Sequence, residues 1–117
     1  MSTVVRIAHP IKDPMPIYQI PSEWILEGQP DSRGCVLIES TDGRLGCGKW
    51  RCTPGKFRWE YSFDEFIFLL EGEVIIIAEG EQPVTLRAGD TAHFQSGTVA
   101  IWNVISTVEK VFFYRNS

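Results

Sequence analysis

Glu60 and Glu65 lie five positions apart in a chain of 117 residues, and each can offer a carboxylate oxygen. Two carboxylates with waters can hold magnesium or calcium weakly. Arg58 stands two positions before Glu60. Its guanidinium stays protonated, cannot ligate, and would neutralise much of that negative charge. These side chains read first as a polar network, Arg58–Glu60–Glu65, without a tight transition metal. The carboxylate alternative is a weakly held divalent ion on Glu60, Glu65 and His93. The chain has two histidines, His9 and His93. His93 alternates with Thr91 and Gln95 and reads as a hydrogen-bonded structural residue. His9, in a proline-rich stretch, reads as exposed. Tyr61 and Trp102 are candidates to line a cavity and stack on a ligand. Lys110 reads as a strand-edge charge or an ion-pair partner. Ser62 and Ser96 have no evident histidine base, so no nucleophile constellation is expected. Neither a phosphate-cradling glycine loop nor a dinucleotide fingerprint occurs.

The elements that must position these residues are read from composition and periodicity. A length of 117 residues is one domain's worth of chain. At 44% hydrophobic and 22% charged residues, the composition is that of a globular core rather than disorder, collagen or coiled coil. The net charge of −4 offers no basic stripe for nucleic acid or anionic lipid, so a small-molecule partner is expected instead. The longest apolar runs, Phe66 to Leu70 and Val74 to Ala78, are far short of a membrane span. Cys35, Cys47 and Cys52 cannot all pair, and Met1 to Ala8 carries no apolar leader pattern; both features lead to a cytoplasmic expectation. The three cysteines read as plain thiols, because Cys47 and Cys52 lack histidine partners for zinc.

Residues 1–34 hold five of the seven prolines and read as an extended arm. It carries strand pieces at Val4 to Ile7 and Ile17 to Ile20 and a helical turn from Ser22. Residues 35–117 read as the folded domain. Strands are expected at Val36 to Ser40, Leu45 to Cys52, Lys56 to Phe63, Glu65 to Leu70 and Glu73 to Ala78. Further strands are expected at Pro83 to Arg87, Thr91 to Gln95, Val99 to Ile105 and Val108 to Tyr114. Turns fall between them at Asp42-Gly43, Glu71-Gly72, Glu79-Gly80, Gly89-Asp90 and Ser96-Gly97. Many short strands with a turn every ten residues or so argue for an all-β sandwich or barrel.

The turn spacing over residues 55–97 resembles that of the cupins. Gly55 opens the first cupin stretch, and Glu65 with Gly72 fits its second half; Gly89 and Gly97 fit the second stretch, with Gln95 in its proline position. More narrowly, the chain is similar to the ureidoglycine aminohydrolase-like family of small single-domain cupins. The text that carries this is Gly48 to Trp59, Asp64-Glu65-Phe66, Leu70 to Glu73, Ala88-Gly89-Asp90, Gly97-Thr98, Trp102-Asn103-Val104 and Lys110-Val111. The resemblance implies an RmlC-like jelly roll, a double-stranded β-helix preceded by the arm. It places Glu65 at the position of the family's carboxylate ligand and Trp102 near the barrel mouth. It also implies a site of three imidazoles and one carboxylate for a divalent metal. Counted back from Glu65, the imidazole positions of the first stretch hold Arg58 and Glu60. A shift of one residue puts Trp59 and Tyr61 there. The position in the second stretch holds Ala100.

Phe57, Trp59, Tyr61 and Phe63 share one face of a period-two segment, opposite Arg58, Glu60 and Ser62. Either this aromatic stripe faces the barrel interior, or it packs on a second subunit while Arg58 and Glu60 look inward. Cupin geometry favours the second arrangement, with Arg58, Glu60, Glu65 and Trp102 around one cavity and a homodimer built on the stripe. The expected function is small-molecule binding in the barrel without the usual metal. A metal-assisted hydrolase and a structural or regulatory dimer are the alternatives.

Overall fold

The computed structural model describes residues 5–9 and 15–116. Eight strands follow a single 3-10 turn, Ser22–Trp24. They are β1 Ile25–Glu27, β2 Ser32–Glu39, β3 Leu45–Cys52, β4 Gly55–Glu60, β5 Asp64–Ala78, β6 Val84–Arg87, β7 Thr91–Phe94 and β8 Val99–Arg115. All pairings are antiparallel, running β1-β4-β8-β3-β2, with β5 against β6, β7 and β8. This is the jelly roll that the cupin resemblance implies.

Two long bent strands hold the barrel together. Residues 64–78 form one strand, not two, and residues 99–115 likewise form one. They pair along their lengths, from Asp64 opposite Arg115 to Ala78 opposite Ala100. The Glu71-Gly72 signal therefore marks a bulge, with the register shifting between Leu69 and Val74. Gly72 adopts φ +90 there. A Cβ at that position would collide with the Thr107 carbonyl oxygen. An extra residue on one strand increases its bend, and the sheet curls into a barrel at this point.

The core is formed by inward side chains of both bent strands. Ile67, Leu69 and Val74 of β5 are fully buried, as are Trp102 and Val108 of β8 and Phe57 of β4. The arm is less regular than expected. Ile17 makes one isolated bridge to Arg33, and residues 5–9 have no regular structure. Val4, the first residue of the other expected strand piece, lies outside the described residues. The turn from Ser22 is observed. Two further bonds fasten the arm to β2, Tyr18 N–H to Ser32 O and Gly34 N–H to Pro16 O, both 2.9 Å. Among the described residues, no helix is long and apolar enough to cross a membrane.

Candidate functional site

Strand β4 decides which residues reach the barrel interior. Phe57 is paired with Trp102 and Trp59 with Ala100. Phe57 is buried and stacks on Trp102, with ring centroids 6.3 Å apart and planes 9° apart. Arg58 and Glu60 point the other way. They pair with each other at 3.0 Å on the outer face, their side chains 47% and 46% exposed. The expectation that both line the cavity is corrected by one residue of register. The aromatic stripe faces inward, so it is not available as an intersubunit surface. Burial energetics explain this choice. Enclosing two ions costs several kcal/mol each unless they are well paired. Leaving a large aromatic in water forfeits about 1.5–3 kcal/mol.

Behind the stripe lies a cavity of about 170 Å³ with largely apolar walls. Its rings come from β3 (Trp50), β4 (Phe57, Trp59), the following bend (Tyr61, Phe63) and β8 (Trp102, Phe112, Tyr114). Tyr18 of the arm and Val36 of β2 complete the wall. The interior is cross-braced. Trp102 donates its indole N–H to the Tyr61 hydroxyl at 3.1 Å, and Trp50 donates to Ser32 Oγ at 2.8 Å. Tyr61 stacks on Phe94 at 4.6 Å. A backbone pair, Tyr61 N–H to Thr98 O and Gly97 N–H to Tyr61 O, fixes the bend that carries Tyr61. A wider outer groove shares Tyr18, Trp59, Tyr61, Phe63 and Glu65, and Glu60 reaches it from the rim.

Two charges enter this aromatic box. Glu65, on the inner face of β5, accepts a hydrogen bond at Oε2 from Lys110 Nζ at 2.8 Å. Both side chains are only 9% exposed. The ammonium also lies 4.7 Å from the Trp50 ring centroid, 4.8 Å from Trp102 and 5.7 Å from Phe112. Such ring faces attract a cation, more strongly once it is desolvated. Glu65, Trp102 and Tyr61 thus line one cavity. The partner of Glu65 is Lys110 and not Arg58. Lys110 escaped the sequence reading as a cavity residue, along with Trp50 and Phe112. The available signal was period two along β8, where Trp102, Val104, Val108, Lys110 and Phe112 are all buried.

The electrostatics follow from this enclosure. Burial pushes the Tyr61 hydroxyl well above its ordinary value, and the Glu65 carboxylate adds to the rise. Tyr18 is raised by the same two causes in the same order. Both phenols are therefore neutral hydrogen-bond donors at physiological pH. Cys52 is pushed up to about 12, mainly by burial, so it is an inert core thiol.

His93 lies elsewhere. It stands on β7 outside the barrel, stacked on Phe66 at 4.3 Å and 3.9 Å from Asp64. The set Glu60, Glu65 and His93 does not converge: Glu65 faces the cavity, and the other two lie on outer surfaces. Among the described residues, no group of three His, Cys, Asp or Glu side chains is placed to hold a metal. The cavity itself offers one carboxylate, already engaged by an ammonium, and no imidazole. That donor set does not fit the transition metal of three-imidazole cupins.

A curled antiparallel sheet around a cavity is compatible with the jelly roll of the cupins. The chain belongs to the EutQ-like cupin domain family, whose model matches residues 39–112. No curated protein matches it. Among solved structures, EutQ of Clostridium difficile is 20% identical with a TM-score of 0.67, over 75% of this chain and 64% of that one. A Pseudomonas syringae protein of unknown function is 23% identical with a TM-score of 0.71, over 95% of this chain and 44% of that one. A cupin superfamily protein of Desulfitobacterium hafniense is 16% identical with a TM-score of 0.64, over 97% of this chain and the whole of the other. The chain spans less than two thirds of the first two. At these identities the likeness establishes the fold.

Proposed function

We propose that the chain is a small-molecule-binding cupin whose ligand sits in the aromatic cavity above the Glu65–Lys110 pair. The observation that carries this reading is the pair itself, a carboxylate and an ammonium lining one largely apolar, partly enclosed space. Ligand sites combine apolar walls with a few oriented polar groups in this way. On a measure by which one water takes about 10–15 Å³, the space suits a ligand of roughly ten non-hydrogen atoms. The finer resemblance to ureidoglycine aminohydrolase-like cupins supports family kinship. Its metal-dependent hydrolysis is not carried over, because the imidazole positions hold aromatic and small residues.

A thermal-shift panel tests the reading. Flat, uncharged rings should raise Tm in a concentration-dependent way, by about 2.7 kcal/mol of stabilisation at a hundredfold excess over Kd. Nucleotides and sugars should not. Val36→Trp, at the half-exposed mouth of the cavity, should abolish the shift while folding normally. A panel without a single stabilising ring contradicts the proposal.

We also infer that a second copy of the chain covers the outer face of the sheet. Phe66 and Phe113 are direct cross-strand partners there, 54% and 50% exposed, and Phe68 and Leu70 continue the row along β5. The Asp64–Arg115 pair at one end supplies opposite charges that a two-fold axis could exchange.

A further inference from the structure

We propose that the cavity selects a ring carrying a cis-amide edge, an N–H beside a C=O, of the lactam class. This rests on the small-molecule reading above and adds the chemistry of the ligand. Glu65 and Lys110 are used only in part by the protein. Among the described residues, Lys110 Nζ has one acceptor, Glu65 Oε2, and the structure gives Oε1 no protein donor. Lys110 has three N–H groups, so two are free of protein acceptors. Both side chains line the cavity. The cavity therefore holds a charged donor and a charged acceptor side by side, their heads 2.8 Å apart.

The ligand must complement both. A carboxylate would satisfy Lys110 but place a second negative charge against Glu65, leaving the enclosed set at −1. An ammonium ligand would satisfy Glu65 but leave the set at +1, and the ring faces of Trp50, Trp102 and Phe112 already serve Lys110. A plain hydrocarbon would fill the space but strip water from Oε1 and two N–H groups. Each desolvated group left unpaired costs about 1–3 kcal/mol. A lactam pairs Oε1 and one of the two free Lys110 N–H groups without adding net charge. Its carbonyl accepts from Lys110, its adjacent ring N–H donates to Glu65 Oε1, and its flat body lies among the aromatic walls. The edge it presents, acceptor beside donor, is the complement of the edge the protein presents. The neutral Tyr61 hydroxyl accepts from Trp102, which leaves its own proton for the same carbonyl.

The test uses the full chain and three rings of similar size: 2-pyridone, its N-methyl derivative and toluene. Binding is followed through the indole N–H NMR signals of Trp50 and Trp102. We expect 2-pyridone to bind at least about tenfold tighter than either other ring, since a site built around an N–H discriminates strongly against its absence. The double variant Glu65→Leu with Lys110→Met should keep toluene and lose the preference for 2-pyridone. Equal affinity for 2-pyridone and its N-methyl derivative overturns the inference and leaves small-molecule binding standing. So does a preference for 2-pyridone that survives in the double variant. Benzoate, added as an anionic control beside the three rings, overturns it as well if it binds tighter than 2-pyridone. Failure of all three rings to bind removes this inference and the reading on which it rests.

Discussion

Glu65 and Lys110 depend on one another in a way that single substitutions should expose. Removing one member of a buried ion pair leaves the other charge uncompensated, which costs about 3–5 kcal/mol. Lys110→Met should therefore lower the urea midpoint sharply. The double variant Glu65→Leu with Lys110→Met should recover most of it, since apolar replacement of both partners is often neutral. A single variant as stable as the parent would mean that the pair is solvated. The three tyrosines give a second residue-scale prediction. Burial raises Tyr18 and Tyr61, and the hydrogen bond to Glu39 is the main cause of pushing Tyr114 up to about 12. A raised folded-state value stabilises the fold below the ordinary tyrosine range, near pH 10, and that contribution is lost as pH climbs through the raised values. At about pH 10, where a free tyrosine is half ionised, the native protein should show clearly less phenolate absorbance than the unfolded chain. Tyr61 should ionise only as the chain unfolds. Ordinary titration of all three would contradict the enclosure. At this scale Glu65, Tyr61 and Trp102 were legible, because an acid at the cupin position and aromatics on strands have few other places to go. Lys110 was not. A lysine in an isolated sequence reads as surface charge, and nothing local reveals the three rings and the carboxylate that enclose it.

Among the elements, β4 shows where counting along a sequence fails. Its alternation was read correctly, with aromatics on one face and Arg58 and Glu60 on the other. The direction of those faces was not, because the count back from Glu65 crosses the irregular bend at Ser62-Phe63 and loses one residue of phase. Pairing settles it, since Phe57 lies opposite Trp102. A one-residue slip moves every side chain to the other face. The bent strands show a second limit. Glu71-Gly72 carries the composition of a turn, yet β5 continues through it because β8 bends alongside. The glycine requirement survives under a different cause. Gly72→Ala would force φ +90 on a residue with a Cβ and drive that atom into the Thr107 carbonyl. Strain of this kind costs about 1–3 kcal/mol, so the urea midpoint should fall while the far-ultraviolet spectrum of the folded protein is kept. An unchanged midpoint would show that the bulge tolerates a side chain and does not set the bend.

For the whole molecule, the stripe expected to carry a dimer faces its own barrel. Trp59 packs on Trp24 and Tyr18 of its own chain, at 5.1 and 6.1 Å between ring centroids. Tyr18 and Trp24 of the arm thus lie against the stripe within the same chain. The exposed row of Phe66, Phe68, Leu70 and Phe113 takes its place as the surface a second copy would cover. Light scattering should give twice the 13.3 kDa chain mass. Phe68→Glu should halve it without disturbing the cavity, and a parent that is already monomeric would refute the pairing. The interior is reached directly by a crystal structure of the protein soaked with 2-pyridone. One ring is expected among Trp50, Tyr61 and Trp102, its carbonyl on Lys110 and its N–H on Glu65. An empty cavity with the ring bound elsewhere, or a Lys110 side chain turned away from Glu65 into solvent, would contradict it.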